Sequence, residues 1–482
     1  MPDLRPVFLV IGLLLTTLGL TMFIPELADL SADGENNYTF LKSAIFSLFV
    51  GISLTFSTRG YETHLSIRQA FILTTLSWVI LVIFAALPFY FSPLQISYTD
   101  AFFEAMSGLT TTGSTVLTGL DTMPTGILLW RAILQWIGGI GIIVMALAIL
   151  PMLQVGGMQI FKTESSDTSD KILPRITQIA GTITAIYIAI SVACAIAYFM
   201  TGMTMFEAAT HAMTTLSTGG FSTSDASFGQ FDSVPAEMAS IVFMILAALP
   251  FGLYIHVVRG DIRPLLRDPQ VRWFIVFVLL SIGLVWAYVA LSQREDTFTA
   301  LRHAAFNVVS IITGTGYATM DYGLWGGFAV AYMFVITFVG GCAGSASCGI
   351  KPFRFQIITQ HLRMQIKRLI HPHGIYTPRF HGKRLPETVI ASVMGFVFIY
   401  IICFIAQGLI LVALGLDNLT SFSAAATIMA NVGPGFGSEV GPAGTFTNLP
   451  AAAKWVLSAG MLLGRLEFFT VLILFTPAFW RN

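Results

Sequence analysis

Ten long apolar segments constrain this chain more than any other feature of its sequence. About 20 consecutive apolar residues are needed for a helix to cross a hydrocarbon layer of ~30 Å. The segments are residues 7–28, 41–58, 70–92, 126–152, 176–200, 236–258, 273–292, 324–349, 387–415 and 452–480. The first runs into Ile24-Pro25-Glu26 without an A-x-A cleavage pattern, which favours a retained span over a signal peptide. The pattern predicts an all-α polytopic membrane protein with ten transmembrane helices.

Composition agrees with a membrane protein and disfavours several soluble classes. Apolar residues make up 55% of the 482 and charged residues only 10%, against roughly 25% in ordinary soluble domains. So few charges cannot cover the surface of a soluble enzyme, a nucleic-acid-binding protein or a disordered scaffold. Four cysteines lie in apolar or Gly-rich stretches without a CxxC pair, so we expect small core residues rather than disulfides or zinc ligands.

The distribution of charge predicts the orientation in the membrane. With the N-terminus inside, 19 of the 25 lysines and arginines fall on the cytoplasmic side, which predicts that both termini are cytoplasmic. Eight of them lie between Lys351 and Arg384, as expected for contact with anionic lipid head groups or with a regulatory protein. Acidic residues predominate on the outer side. They either concentrate cations at the outer mouth or remain outside only because basic residues prefer the inside.

After the first two segments the chain repeats one unit four times. Each unit has a span, a short apolar segment, a Gly-containing turn and a second span, and the short segments are roughly 100–110, 204–216, 298–312 and 419–430. Aligned on Gly113, Gly220, Gly316 and Gly433, the units are 107, 96 and 117 residues apart. This periodicity predicts a pseudo-fourfold assembly made by one chain. The predicted divisions are 1–68 for two N-terminal helices, 69–153, 154–259 and 260–350 for three units, 351–386 for a basic cytoplasmic loop and 387–482 for the fourth unit.

The chemistry of such a unit points to an ion filter. An apolar segment of 10–14 residues is too short to cross, so it re-enters or lies at the interface. Irregular backbone at membrane depth is tolerated only where it is buried in protein or lines water. Four turns around one axis would present rings of carbonyl oxygens, which can replace the hydration shell of an alkali cation. One such turn alone is usually a surface turn, but four in equivalent positions favour the filter.

A second glycine cluster and two charges suggest a gate. Residues 340–349 contain Gly340, Gly341, Gly344, Ser345 and Gly349, and this many glycines predicts a break in the helix, with close helix packing as the alternative. A phosphate-binding loop is excluded because Ile350-Lys351 follows where Lys-Ser/Thr is required. Arg465 and Glu467 lie in the last apolar segment, where charges usually mark an ion path. They are predicted to help close the pore, unless they form a local ion pair or reach to the interface.

These residues closely resemble the Trk/Ktr/HKT superfamily of potassium transporters over essentially the whole length. The strongest stretches are Asp100–Val116, Trp130–Gly157 and the four turns, and the two additional N-terminal segments favour the TrkH branch over the eight-span KtrB branch. The resemblance implies four units around a central pore, a homodimer in the bacterial inner membrane and a TrkA-like cytosolic regulator with nucleotide-binding RCK domains. It implies potassium as the permeant ion, with no cofactor and no nucleic-acid partner. The filter positions that it implies are Thr111, Thr112, Gly113, Thr218, Gly219, Gly220, Gly314, Thr315, Gly316, Asn431, Val432 and Gly433.

Three functions follow with different expectations. A channel-like potassium uptake protein, gated by a cytosolic partner, agrees with the four turns and with modest selectivity for potassium over sodium. A secondary transporter that couples potassium to protons or sodium usually needs an acid at membrane depth, and Glu467 is the one the sequence offers. A membrane scaffold without transport leaves the four turns unexplained. The sequence has no HExxH, GxSxG or P-loop motif, so an enzyme is not expected.

Overall fold

A computed structural model describes residues 3–31, 38–60, 66–148, 153, 156–161, 172–292, 296–380 and 382–481. The predicted boundary between the first two units, at residues 153 and 154, lies at the edge of these ranges. Residues 162–171 of the second unit also lie outside the described residues.

Seven helices in this part of the chain are long and apolar enough to cross a membrane. They are Arg5–Ser31, Thr39–Ser57, Ile67–Phe91, Thr125–Leu147, Ala180–Met200, Pro269–Ser292 and Glu387–Ala413. Only 28–67% of the residues in the apolar part of each helix are buried inside the protein. Most of the seven helices therefore present much of their apolar surface outward. An apolar outer surface is what a helix needs where it faces lipid tails.

Two further segments are bent pairs rather than the single spans that hydropathy predicted. Val234–Ala247 and Phe251–Val258 meet at 101°, and Ala451–Leu466 and Phe468–Phe475 meet at 114°. Pro250 ends the first break, and proline supplies no N–H and disfavours a helical conformation in the residue before it. The second break is at Glu467, whose φ of 62° is outside the right-handed helical region. Apolar composition does not reveal such breaks, because both halves of each pair remain hydrophobic.

The eighth predicted segment, 324–349, is helical only over Gly327–Ile336. The following loop contains Gly340, Gly344 and Gly349 with φ of 72°, 79° and 81°, which glycine adopts readily. The predicted break at residues 340–349 is therefore confirmed, and the alternative of a continuous close-packed helix is wrong. We call residues 340–349 the glycine loop.

The four short apolar segments are helices that are too short to cross a membrane. Their bounds are Tyr98–Leu109, Met205–Leu216, Thr297–Thr313 and Asn418–Ala430. Each begins at a side-chain cap that accepts a backbone N–H, and the caps are Ser97, Thr204, Asp296 and Asp417. Hydrogen bonds from Thr420 lower the pKa of the Asp417 carboxyl below its ordinary value. Capping fixes where each helix starts, and therefore contributes to the position of the turn that follows its C-terminal end.

The N-terminal helices pack on the first unit. Helices Arg5–Thr21 and Thr39–Ser57 approach closely at Gly12 and Gly51, where a Cβ on either would meet backbone of the other. Asp29 accepts a hydrogen bond from the backbone N–H of Gly126, at the start of helix Thr125–Ala148. This contact places a carboxylate at the positive end of that helix.

A helix, a small sheet and a long helix follow the glycine loop. Helix Pro352–Ile370 is followed by a two-stranded antiparallel sheet, Arg379–Phe380 with Lys383–Arg384. Arg379 pairs with Arg384, and Phe380 pairs with Lys383. Helix Glu387–Ala413 then returns to the bundle.

Candidate functional site: four glycine turns and the loop beside them

The four turns that follow the short helices meet at a single cavity of about 430 Å³. We call residues 111–113, 218–220, 314–316 and 431–433 turns 1 to 4. The shared glycines of all four turns line the cavity: Gly113, Gly220, Gly316 and Gly433. The structure thus brings together positions that are up to 320 residues apart in the sequence.

Contacts between the turns run in a closed circle. A Cβ added to Gly113 would collide with the carbonyl oxygen of Gly219 in turn 2, and one on Gly220 would collide with that of Thr315 in turn 3. A Cβ on Gly316 would collide with the carbonyl oxygen of Val432 in turn 4. One on Gly433 would lie 2.9 Å from the carbonyl oxygen of Thr112, which returns to turn 1. Each turn therefore abuts the next in the order 1, 2, 3, 4.

The same backbone conformation recurs in all four turns. The first residue of each turn has φ between 51° and 76°, and these residues are Thr111, Thr218, Gly314 and Asn431. The shared glycine has φ between 74° and 105° in each. Positive φ is unfavourable for a β-branched residue, and such conformations persist only where the surroundings enforce them, often at functional sites. Thr111 and Thr218 nevertheless adopt this conformation, which indicates that the geometry of the turns is required.

A common hydrogen bond holds each turn to the end of its helix. The middle residue of each turn donates its backbone N–H to the carbonyl five residues earlier, at 2.8–2.9 Å. The pairs are Thr112 with Ser107, Gly219 with Thr214, Thr315 with Ser310 and Val432 with Thr427. All four short helices thus end at the cavity. Helix C-termini carry partial negative charge, which favours a cation there.

Helix Thr125–Ala148 supports turns 1 and 2 with residues that the sequence analysis did not single out. Arg131 donates to the carboxylate of Glu104 at 2.8 Å and to the carbonyl of Ser222 at 2.7 Å. One turn further along, Gln135 contacts Gly219 and Phe221. The sequence signal that could have identified these two residues is their polarity within an apolar segment, because such residues usually face the bundle interior.

Buried acids are more numerous than the sequence analysis expected. Glu467 was predicted as the only acid deep in the bundle, but Glu104 and Glu237 are also buried. Each of these two is paired with an arginine, Glu104 with Arg131 and Glu237 with Arg302 at 2.7 Å. Pairing with an arginine compensates each buried carboxylate for its loss of solvation.

The glycine loop is fixed by backbone hydrogen bonds to the first bent pair of helices. The N–H of Cys342 donates to the carbonyl of Ala248, and that of Phe251 donates to Gly344, both at 2.9 Å. The N–H of Ile350 closes the loop onto Phe338 at 2.9 Å. The break at residues 248–250 therefore leaves the carbonyl of Ala248 and the N–H of Phe251 without partners inside a helix, and these groups bind the loop.

Arg465 joins the glycine loop to the helix beside turn 1. Its Nη1 donates to the carbonyl of Ala346 at 2.9 Å and lies 3.0 Å from Cys348 Sγ, and its Nη2 donates to the carbonyl of Gly138 at 2.9 Å. Gly138 packs against the carbonyl of Leu109, just before turn 1.

The glycine loop in turn reaches turn 3. A Cβ on Gly314 would lie 3.4 Å from Ser347 Oγ. The guanidinium of Arg465 therefore connects the helix beside turn 1 with the loop beside turn 3. Turns 1 and 3 are opposite in the circle.

Glu467 is not the partner of Arg465. Its carboxylate binds Arg354 and lies 3.4 Å from Lys351 Nζ. Arg354 also donates to the carbonyl of Gly156 at 2.9 Å, and all three charged side chains are buried. The alternative of a local Arg465–Glu467 pair is therefore wrong. Glu467 instead anchors Lys351, two residues after the glycine loop, and the start of helix Pro352–Ile370.

Comparisons with known proteins agree with this architecture. Residues 36–482 match the family model TrkH, described as a cation transport protein. The chain is 45% identical to the Trk system potassium uptake protein TrkI of Halomonas elongata, covering 99% of this chain and 97% of the relative. It is 38% identical to the Trk system potassium uptake protein TrkH of Escherichia coli K12, covering 99% of each.

A solved structure is similar over the full length. The crystal structure of the potassium transporter TrkH from Vibrio parahaemolyticus superposes with a TM-score of 0.92, at 37% identity and with 100% of both chains covered. The resemblance predicted from the turns and the N-terminal segments is thereby confirmed. The chain belongs to the TrkH family of cation transport proteins.

Proposed function

We propose that this protein takes up potassium across the bacterial inner membrane through a channel-like pore whose selectivity filter is formed by turns 1 to 4. The closed circle of contacts around one cavity carries the proposal. Potassium uptake is also the function that the names of the relatives state. The relatives are named as transport proteins, in agreement with the expectation that the chain is not an enzyme.

The proposed architecture has four units in pseudo-fourfold arrangement, preceded by two helices that complete ten crossings. Each bent pair and the short helix Gly327–Ile336 then count as one crossing each. Equivalent φ values and equivalent helix-to-turn hydrogen bonds in the four units support this arrangement. Both termini would be cytoplasmic, as the distribution of basic residues requires.

The proposed filter coordinates a dehydrated potassium ion with backbone carbonyls. Rings of carbonyl oxygens replace water around the ion, and the C-terminal ends of four helices add favourable potential. The residues differ between turns, since the first position is Thr111, Thr218, Gly314 or Asn431. Unequal side chains behind the ring make fourfold geometry imperfect, so we expect modest selectivity of potassium over sodium.

The proposed gate is the glycine loop together with Arg465. A positive guanidinium between opposite units, next to the helix ends that deliver the turns, repels a permeating cation and blocks its path. Opening requires the loop to move and Arg465 to lose its carbonyl partners. A TrkA-like cytosolic regulator would bias that movement through the basic residues between Lys351 and Arg384, in a homodimeric membrane protein surrounded by anionic lipids.

Ion flux in proteoliposomes tests the function directly. Potassium uptake should exceed sodium uptake, and bi-ionic reversal potentials should order potassium before sodium. A reversal potential without discrimination among alkali cations would reject the filter. A fixed proton or sodium stoichiometry would instead favour coupled transport. The buried acid that the sequence offers for coupling is Glu467, and its carboxylate is bound to two cationic side chains.

Replacing Glu467 with glutamine should lower the melting temperature and weaken closure. Arg354 and Lys351 would remain buried without a counter-charge, and loss of one partner of a buried ion pair typically costs about 3–5 kcal/mol. Basal potassium flux should rise, because Lys351, two residues after the glycine loop, loses its anchor. The exposed Glu387 provides the matched control, Glu387→Gln. Unchanged melting and unchanged basal flux in Glu467→Gln would contradict the anchoring role.

A further inference from the structure

The middle position of the four turns differs in one respect. Turns 1, 3 and 4 have a side chain there, in Thr112, Thr315 and Val432, whereas turn 2 has Gly219. Gly219 does not have positive φ, so its backbone does not require glycine. The absence of a side chain in turn 2 therefore needs another explanation.

The side chain of Gln135 occupies the space that a residue at 219 would use. A Cβ built on Gly219 would overlap the carboxamide group of Gln135. Gln135 belongs to helix Thr125–Ala148 and is completely buried. A side chain of unit 1 thus replaces the missing side chain of turn 2.

Both halves of the carboxamide are used. Gln135 Nε2 donates to the carbonyl oxygen of Gly219 at 2.6 Å, and Oε1 accepts the backbone N–H of Phe221 at 3.1 Å. The carbonyl of Gly219 is also the one that abuts Gly113 in the circle of turns. Gln135 therefore binds directly to a carbonyl of the ring and to the residue after the shared glycine of turn 2.

We propose that Gln135 is a selectivity-determining positioning residue of the filter. Its hydrogen bond holds the Gly219 carbonyl oxygen in place, so that this oxygen does not move inward to coordinate an ion smaller than potassium. The inference rests on the proposed function, since it assigns the Gly219 carbonyl to the ion-coordinating ring. Of the four middle-position carbonyls, those of Thr112, Gly219, Thr315 and Val432, all of them described in the structure, that of Gly219 is the one that accepts a side-chain hydrogen bond.

Replacement of Gln135 by leucine removes both hydrogen bonds at similar volume. The potassium-to-sodium permeability ratio should fall about two- to twelvefold, the range expected when the hydrogen bond to the Gly219 carbonyl, worth about 0.5–1.5 kcal/mol, is lost. Bi-ionic reversal potentials of the purified full-length protein in liposomes provide the measurement. Potassium flux with an unchanged ratio would overturn the proposal, whereas a wild-type protein without potassium flux would overturn the proposed function itself.

A compensating pair separates positioning from folding. Gln135→Ala leaves a gap, and Gly219→Thr fills it with the residue type found in turns 1 and 3. Gly219→Thr alone should fail, because it overlaps Gln135. The double variant should fold and recover at least half of the lost selectivity. A double variant no better than the worse single variant would contradict the assignment, even if Gln135→Leu does not fold.

Gln407 provides the matched control. Its Nε2 donates to the carbonyl of Val456 at 2.9 Å, and its carboxamide fills the space beside Gly460 without a hydrogen bond to the described residues of turns 1 to 4. Gln407→Leu should lower the melting temperature and leave the permeability ratio unchanged. An equal loss of selectivity in both variants would show that Gln135 acts only through general stability, and would overturn the proposal.

Discussion

Replacement of Gly316 by alanine is expected to abolish potassium-selective flux while the protein still reaches the membrane. The new Cβ would collide with the carbonyl oxygen of Val432 in turn 4. The φ of 82° at Gly316 is unfavourable for alanine as well, at a cost of about 1–3 kcal/mol. Turns 3 and 4 must separate to accommodate the methyl group, and the ring of carbonyls loses its geometry. Tracer uptake in proteoliposomes should decrease at least tenfold.

The variant Gly260→Ala is the control that distinguishes the effect of the collision from the effect of backbone strain. Its φ is 89°, but a Cβ there would meet no atom within 4 Å. Gly260→Ala should therefore retain potassium flux, with at most a slightly lower melting temperature. Full selectivity in Gly316→Ala would show that the four turns do not form the ion path.

Replacement of Arg465 by alanine is expected to increase basal potassium flux. The guanidinium donates to the carbonyls of Ala346 and Gly138 and contacts Cys348, and hydrogen bonds from charged groups contribute about 1.5–3 kcal/mol each. The closed arrangement is then less stable than the open one by at least one such hydrogen bond, about 1.5–3 kcal/mol. We expect roughly a ten- to hundredfold rise in flux measured without any cytosolic partner, as a shift in the two-state population.

Two variants sharpen this test. Arg465→Lys retains the charge but lacks the forked donor geometry that reaches both sides, so its basal flux should lie between wild type and Arg465→Ala. Arg363 is an exposed cation on helix Pro352–Ile370, and Arg363→Ala should leave basal flux unchanged. Wild-type flux in Arg465→Ala, at equal amounts of folded protein, would exclude this residue from the gate.

Local patterns in the sequence predicted the elements whose cause is local. The short helices are too short to cross a membrane, and each is followed by a glycine at an equivalent position, so hydropathy and spacing suffice to find them. The glycine loop was equally visible, because Gly340, Gly341, Gly344 and Gly349 lie within ten residues. In both cases the residues that set the conformation are the residues that adopt it.

The features that the sequence did not reveal depend on distant partners. The bend at residues 248–250 is stabilised by hydrogen bonds to the glycine loop, about 95 residues later in the chain. Gln135 supports a turn 84 residues away, and its sequence neighbours do not indicate this contact. Glu467 lies two residues from Arg465, which suggested a pair, yet tertiary structure directs its carboxylate to Lys351 and Arg354. Proximity in the sequence was misleading there.

Because turns 1 to 4 belong to one polypeptide, each quadrant of the cavity wall is encoded separately. A homotetramer that acquires a substitution changes all four corners at once, whereas this chain can change one corner and keep three. In the proposed filter, ion preference can therefore be adjusted in small steps during evolution, and a gene carrying one altered quadrant never produces mixed rings of mutant and normal subunits. The same separation allows an experimenter to assign the contribution of each corner with single-codon changes.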